Sequence, residues 1–494
     1  MRWRAVAVAA ALAVFARPAR AGGPIGPNGA PITTSAYAVD LSEGPVLAGT
    51  RVVGLAGAYV AIAEGTDGNS QNPAAPAVRA ADSFAHVDWD AGLGLTYPSA
   101  IAHTDFFNTG VPGTNLGQTD TGSFLFLDLS GNLQIGPWGF GVTINGQTYA
   151  IDRTAPTSTE VTRLGVEFVT GHLLVARAMS EGQVVVGGGA RFSNLAVTDR
   201  NSGDALFGTT GAAFEGGLLV RPNDQPFRIG VSLRSELIGA DTFTGRAPDA
   251  AGDRVLGDPA SGSALYLPRA VALPWDVSFG LAVQLGPRPF NPRFLDPAEL
   301  LEQKRRYLAW RARERARRAA YQLRRAAPSS AARRALEADD RAAEARDRLE
   351  LERAEREVRA ALVARYRAAG RFRVLLTGSL TVSGKVADGV GVESFLTQRV
   401  ERSGETGSLT PRFAVESEVV PGWVGIRAGT YYEPTRFSTP RAAARLHGTV
   451  GLDARLFSWT VFGLFGEGTA WRISGAFDRA ARYSGWSVAI GTWR

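Results

Sequence analysis

The sequence predicts an all-β transmembrane barrel of about 14 antiparallel strands, with an N-terminal hatch in the lumen and an inserted α-helical hairpin. Three observations carry that expectation. The chain opens on an export signal, and no later apolar run is long enough to cross a bilayer as a helix. Apolar and polar residues then alternate with a period of two over most of the length. One glycine-free stretch rich in alanine and arginine breaks the alternation between two strands.

Residues 1–21 read as a signal peptide. Arg2 and Arg4 supply the basic start, Ala5 to Phe15 the apolar run, and Ala19-Arg20-Ala21 the small-residue cleavage site. The destination this implies, with the strands below, is the outer membrane of a Gram-negative envelope. Composition narrows the chemistry. The 494 residues include no Cys, which excludes disulfides and thiolate catalysis, and 58 Gly, roughly twice the usual share. The net charge of +7 is misleading: residues 296–369 alone hold 20 Lys+Arg against 13 Asp+Glu, and the remainder balances. Acids interleave the bases throughout that segment, so no nucleic-acid partner is expected.

Residues 22–82 form the lead-in and the hatch. Residues 22–50 are rich in Gly, Pro, Ser and Thr and predict an irregular entry. Arg51 to Pro76, RVVGLAGAYVAIAEGTDGNSQNPAAP, is small and apolar and closes on Asn72-Pro73-Ala74, a turn former followed by a residue without a backbone N–H. It reads as a compact plug around which the later strands wrap.

Residues 83–285 predict strands one to eight and residues 371–494 strands nine to fourteen. Val87, Trp89, Ala91, Leu93, Leu95 and Tyr97 alternate with Asp88, Asp90, Gly92 and Gly94. Trp138, Phe140, Val142 and Ile144 alternate with Gly139, Gly141, Thr143 and Asn145, and Trp275 to Leu285 repeats the pattern. Further segments fall near 121–133, 160–178, 182–198, 211–220, 227–233, 371–383, 409–419, 423–432, 446–456, 458–470 and 482–493. Many reach the roughly 9–11 residues a tilted membrane strand needs. Aromatic residues near strand ends (Trp89, Tyr97, Trp138, Trp423, Tyr431, Tyr432, Trp459, Trp486, Trp493) suit an interfacial girdle. Short turns at Gly136-Pro137, Ser180 to Gly182, Arg221 to Pro226, Pro421-Gly422 and Leu456 to Ser458 alternate with long connections, including 471–481. That places the short turns in the periplasm.

Residues 286–370 hold the insertion. Asp296-Pro297 is a good helix start, Pro328-Ser329-Ser330 a break, and Gly370 a C-terminal stop. The expectation is a charged helical hairpin on the periplasmic rim, its longer arm ~55–60 Å.

Two stretches carry a family resemblance. GLAGAYVAIAEGTDGNSQNPAAPA resembles the N-terminal signature of the FadL-type outer-membrane long-chain fatty-acid transporters, with Ala58-Tyr59-Val60-Ala61 leading to Asn72-Pro73-Ala74. PRFAVESEVVPGWVGIRAGTYYEPTRF resembles that family's late strand pair, through Arg427, Ala428, Gly429, Tyr431, Tyr432, Glu433 and Pro434. LPWDVSFGLAVQL, from Leu273, is a weaker match. The resemblance implies a fourteen-stranded barrel with Gly54, Gly57, Asn72, Pro73 and Ala74 in a gating hatch. It also implies passage of hydrophobic compounds from outside, through a lumenal pocket, towards a lateral opening. The chain departs from the pattern in its hairpin, in Ala56 where a larger residue is common, and in its Trp493-Arg494 end.

Transport of hydrophobic compounds such as long-chain fatty acids is therefore the first functional expectation. Ile101, Phe106, Phe107 and Val111 of the first outer loop are the candidate capture residues. The alternative is a non-transport barrel that anchors or shuttles for secretion or envelope assembly, docking a periplasmic protein on the hairpin. The expected partners are a hydrophobic small molecule or lipid and the membrane itself. No enzyme, cofactor or metal site is expected: the four histidines are scattered, and His103 and Asp105 are near in sequence but sit in an outer loop.

Overall fold

The computed structural model describes residues 25–80, 83–84, 86–98, 104–110, 119–154, 161–239, 248–257, 264–293, 297–325, 330–368, 370, 372–459 and 470–492. The signal peptide, His103, Asp296, Pro328-Ser329 and Trp493 lie outside them.

Fourteen strands close into one barrel: β1 (Val87–Tyr97), β2 (Thr119–Ile135), β3 (Trp138–Thr154), β4 (Val161–Met179), β5 (Val184–Asp199), β6 (Ala205–Val220), β7 (Phe227–Arg234), β8 (Asp276–Leu285), β9 (Val374–Ser383), β10 (Ser408–Val420), β11 (Val424–Glu433), β12 (Arg445–Ser458), β13 (Ala470–Ala480) and β14 (Tyr483–Thr492). Each pairs antiparallel with its chain neighbours, and β14 closes on β1, with Gly92 opposite Gly491. Closure leaves no sheet edge unpaired, as a bilayer requires. Leu93, Leu129, Phe140, Leu173, Phe279 and Val450 project outward and stay exposed, while Asp90, Asn132, His172, Arg228, Glu416 and Asp478 are buried within. An apolar exterior around a charged interior is the arrangement of a barrel in an outer membrane.

Among the described residues the aromatic girdle is present with one exception. Trp138 and Trp423 stand at the short-turn rim, with the Arg177 and Arg455 guanidinium groups 5.0 and 5.4 Å from their ring centroids. Tyr97 and Trp486 meet at the other end, centroids 5.9 Å apart. Tyr431 turns inward instead and is buried, because its neighbour Tyr432 takes the lipid side and successive strand residues face opposite ways.

The final strands differ from expectation. The alternation at 458–470 predicted a strand and 471–481 a long outer connection; β13 occupies Ala470–Ala480, and β14 follows after Ala481-Arg482 alone. Residues 460–469 lie outside the described residues. A left-handed Arg482 (φ 60) makes the two-residue turn, a conformation that sequence alternation does not reveal. The entry segment is also less irregular than predicted. Ala38–Asp40 pairs in parallel with Ala270–Ala272 and with Gly389–Gly391, so the lead-in is stitched into outer connections.

Strand length divides the wall. β2 to β6 run 16–19 residues, whereas β7, β8, β9, β11 and β14 run 8–10. The extra length lies at the outer end, since Arg234 at the top of β7 pairs with Glu215 while β6 continues to Ala205. Along this tall wall the alternation reverses sign. On β3, Phe140, Val142 and Ile144 face outward with Thr143 and Asn145 inside, but above them Tyr149 and Ile151 turn inward and are buried. On β4, Leu173 and Val175 face out, whereas Leu164, Val166 and Phe168 face in and Glu167 is exposed.

At the short-turn rim, between β8 and β9, stand α2 (Glu302–Arg325) and α3 (Ser330–Ala368); α1 (Thr50–Gly54) belongs to the lumen.

Candidate functional site

Residues 25–80 run down the inside of the barrel. Gly29 N–H donates to Val400 O (2.8 Å) and Thr34 Oγ1 to Asp253 Oδ1 (2.9 Å) at the outer mouth. Gln134 Nε2 donates to Pro76 O (2.8 Å) and Arg79 to Gly136 O (2.8 Å) at the short-turn rim. Between these ends, Val52, Val53, Leu55, Tyr59 and Ile62 are buried against wall residues Ala282, Leu375 and Ala476. The hatch chain reverses after α1 through Ala56 and Gly57, both left-handed (φ 55 and 73), a conformation that glycine adopts freely and alanine does not.

The wall makes room for this backbone with glycines that face the lumen. A Cβ at Gly187 would overlap the Pro73 carbonyl, at Gly139 the Pro76 carbonyl, at Gly230 the Val60 carbonyl and at Gly217 the Asn72 side chain. These four wall glycines come from β3, β5, β6 and β7, so the high glycine content has a positional cause. Gly54 of the hatch lies against Gly451, and its carbonyl accepts from Thr449 Oγ1 at 3.0 Å.

Asn72 closes the turn. Its Nδ2 donates to Val60 O (2.9 Å) and to Leu218 O of β6 (3.2 Å), and its Oδ1 accepts from Ala74 N–H (3.0 Å). Pro73 cannot donate, so the side chain takes over the pairing of the turn.

Charged pairs join hatch and wall near the lower rim. Arg51 makes a bidentate contact to Glu416 of β10, 2.7 and 2.9 Å, and donates to Tyr59 OH at 2.9 Å. Arg228 of β7 donates to Glu64 (2.7 Å), Ile62 O (2.9 Å) and Phe290 O (2.8 Å). Arg472 of β13 reaches Asp67 at 2.6 Å. Burial alone would raise the Glu64 carboxyl, but Arg228 and Arg51 hold it down at about 2. The lattice continues through Arg373, which lies 3.4 Å from Glu416 and 3.2 Å from Glu418, to Arg288, which also contacts Glu418 and donates to Tyr366 OH of α3 at 2.9 Å. The hairpin thus touches the floor of the lumen. None of these ion pairs was apparent in the sequence; each joins residues far apart in the chain.

Above lies an apolar cluster. Phe124 and Tyr149 stack at 5.2 Å, Phe106 sits 4.5 Å from Phe124 and 6.5 Å from Tyr483, and Phe107 sits 5.8 Å from Tyr149. Tyr37, Ile151, Leu164, Val166, Leu195, Val197 and Phe395 extend the cluster. Of the four candidate capture residues, Phe106 and Phe107 join this cluster, and Ile101 and Val111 lie outside the described residues. Glu43 enters beside it, its carboxylate accepting from Gln147 Nε2. Burial pushes that carboxyl up to about 7, the Gln147 bond opposing it too weakly. On β12 His447, whose ring lies 5.2 Å from that of Tyr483, faces carboxylates with both ring nitrogens, Asp478 at 2.8 Å and Glu433 at 2.6 Å.

The geometry defines an outer-membrane β-barrel of fourteen strands with its N-terminal segment threaded inside. The sequence matches no family profile and no curated protein. Among solved structures the chain is similar to a Pseudomonas aeruginosa FadL homologue (11% identity, 91% of this chain and 99% of that one, TM-score 0.46). It is also similar to the CymD monoaromatic hydrocarbon channel (11% identity, 91% and 97%, TM-score 0.45) and to the Pseudomonas putida toluene transporter TodX (9% identity, 93% and 98%, TM-score 0.43).

Proposed function

We propose that this chain carries hydrophobic compounds, long-chain fatty acids among them, across the outer membrane through its lumen, with residues 51–76 as the hatch and Gly54, Gly57, Asn72, Pro73 and Ala74 at its moving turns. The observation that supports the reading is the reversed alternation of the tall wall. A water-filled barrel keeps its inner face polar. Here Phe124, Tyr149, Ile151, Leu164, Val166, Leu195 and Val197 face inward. Such a lining lowers the free energy of an apolar solute relative to water by about 25 cal/mol per Å² buried. Phe106 and Phe107 pack on the cluster from the first outer loop and are the residues through which a solute enters.

The test is uptake of labelled oleate and of toluene by cells relying on this protein alone. Ile151→Glu and Leu195→Glu place a charge in the apolar cluster and are expected to lower uptake at least tenfold while the barrel stays heat-modifiable in the outer membrane. Unchanged uptake in both variants overturns the reading. A second reading, a barrel that anchors a periplasmic protein, is favoured by the hairpin on the short-turn rim. Deleting 297–368 separates the two, since transport survives it and anchoring does not.

A further inference from the structure

The two hairpin helices differ sharply in charge. α2 carries ten basic and two acidic residues among 24, whereas α3 carries ten and nine among 39. Part of the excess is answered across the hairpin: Lys304 meets Glu350 at 3.3 Å, Arg305 meets Glu355 at 2.5 Å, and Arg315 meets Asp347 at 2.8 Å. The side of α2 turned away from α3 is not answered. Arg306, Arg313, Arg317, Arg318 and Arg324 are exposed there. Their local acids are Glu302, 2.8 Å from Arg306, and Glu314, 3.9 and 3.7 Å from Arg317 and Arg318. Among the described residues Arg313 and Arg324 have no ion-pair partner within 4.0 Å.

Aromatic rings share that surface. Tyr307, Trp310 and Tyr321 are 53%, 58% and 60% exposed. At 100° per residue, Arg306, Tyr307, Trp310, Arg313, Arg317, Tyr321 and Arg324 fall within an arc of about 120°. Tyr307 and Trp310 lie with centroids 6.0 Å apart and all three rings stay more than half exposed, and Trp, Tyr and Arg are the residues that dominate protein-binding hot spots. A helix lying in a bilayer interface segregates rings and cations to opposite faces. On α2 they are interleaved, and the apolar side, with Leu301 and Leu308 buried, already packs within the hairpin. Nearly 36 Å of helix therefore presents a continuous cationic and aromatic strip.

We propose that this outward face of α2 is a docking surface for a protein with an acidic patch, on the side of the membrane that the short turns face. The proposal deepens the anchoring reading and is independent of transport, because the surface does not reach the lumen. Charge complementarity sets the partner: acidic side chains fit between the arginines while its apolar groups cover the three rings.

The test uses the full chain. A photoreactive residue at Gln303, in intact cells, is expected to give one discrete protein adduct. The adduct should vanish in Arg313→Glu/Arg317→Glu/Arg324→Glu and persist when the same arginines become lysine. The captured protein, identified and purified, should bind the full chain in nanodiscs with a Kd at least tenfold weaker for the triple reversal and for Trp310→Ala, and weaker again as salt rises. Heat-modifiability and uptake of hydrophobic compounds stay at wild-type values in all variants, which separates failure of this proposal from failure of the transport reading. Poly-L-glutamate and phosphatidylglycerol vesicles are the control probes. Recruitment of the vesicles without the peptide, absence of an adduct, or an adduct indifferent to the charge reversal overturns the proposal.

Discussion

Glu43 and Glu64 belong to the same threaded segment, yet their surroundings drive their carboxyls in opposite directions, up to about 7 and down to about 2. Burial acts on both in the same sense. Glu64 is met by Arg228 and Arg51, whereas Glu43 is met by an amide among aromatic and aliphatic side chains. The segment is therefore fastened below by the ion lattice, and above by apolar contact together with the Asp40–Arg436 pair. Under the proposed transport, an apolar solute in the upper cluster competes with those apolar contacts and leaves the ion lattice below intact.

The strongest way to break this contrast is to remove a charge from the lower lattice. Glu416→Ala leaves Arg51 and Arg427 facing an empty site and is expected to cost about 3–5 kcal/mol, measured by urea unfolding in detergent micelles. Glu43→Gln, the matching change above, should leave stability at neutral pH unchanged or slightly higher. A loss for Glu43→Gln as large as for Glu416→Ala would erase the distinction.

Asn72→Ala ranks next. It removes two donated bonds and one accepted bond inside the turn, at a cost of about 1–3 kcal/mol. The expected phenotype is altered uptake and greater antibiotic leakage through an assembled barrel. Wild-type values for both would show that the turn does not hold the segment closed.

pH sharpens the comparison by sign. The depressed Glu64 carboxyl stabilises the fold above its unfolded value near 4.5, and that contribution is lost as pH falls towards about 2. The raised Glu43 carboxyl has the reverse effect: ionising it costs the folded state progressively as pH climbs from about 4.5 to about 7. Hydrogen exchange should show residues 58–68 losing protection on acidification and residues 41–47 losing it on going from pH 5 to pH 8. Glu43→Gln should abolish only the second. The smallest effect is expected from Tyr366→Phe, which deletes one bond to Arg288 and should cost about 0.5–1.5 kcal/mol without changing uptake.

How far the sequence spoke follows from the range over which each signal acts. Period-two alternation is local, so the strands from β1 to β12 could be read directly. It failed at β13, where 458–470 alternates as well as 470–480 and only the two-residue turn at Ala481-Arg482 decides. The parity change on β3, from Phe140, Val142 and Ile144 to Tyr149 and Ile151, stood in the sequence, and following the phase along one strand exposes it. The wall glycines stood there too: Gly139, Gly141, Gly230 and Gly280 all fall on the inward face of their strands. The ion lattice had no local signal. Arg51 and Glu416 are brought together only by closure of the barrel around the hatch.

The tall wall has one more consequence. A bilayer uses about 9–11 residues of a tilted strand, and β2 to β4 have 17–19, so some seven residues of each rise roughly 15–20 Å past the lipid. The inward-turned Tyr149, Ile151, Leu164 and Val166 belong to that projecting part. The apolar cluster is therefore carried above the membrane, on the part of the wall that stands past the lipid. Under the proposed transport, a water-insoluble molecule coming from outside meets these apolar side chains before it meets the membrane.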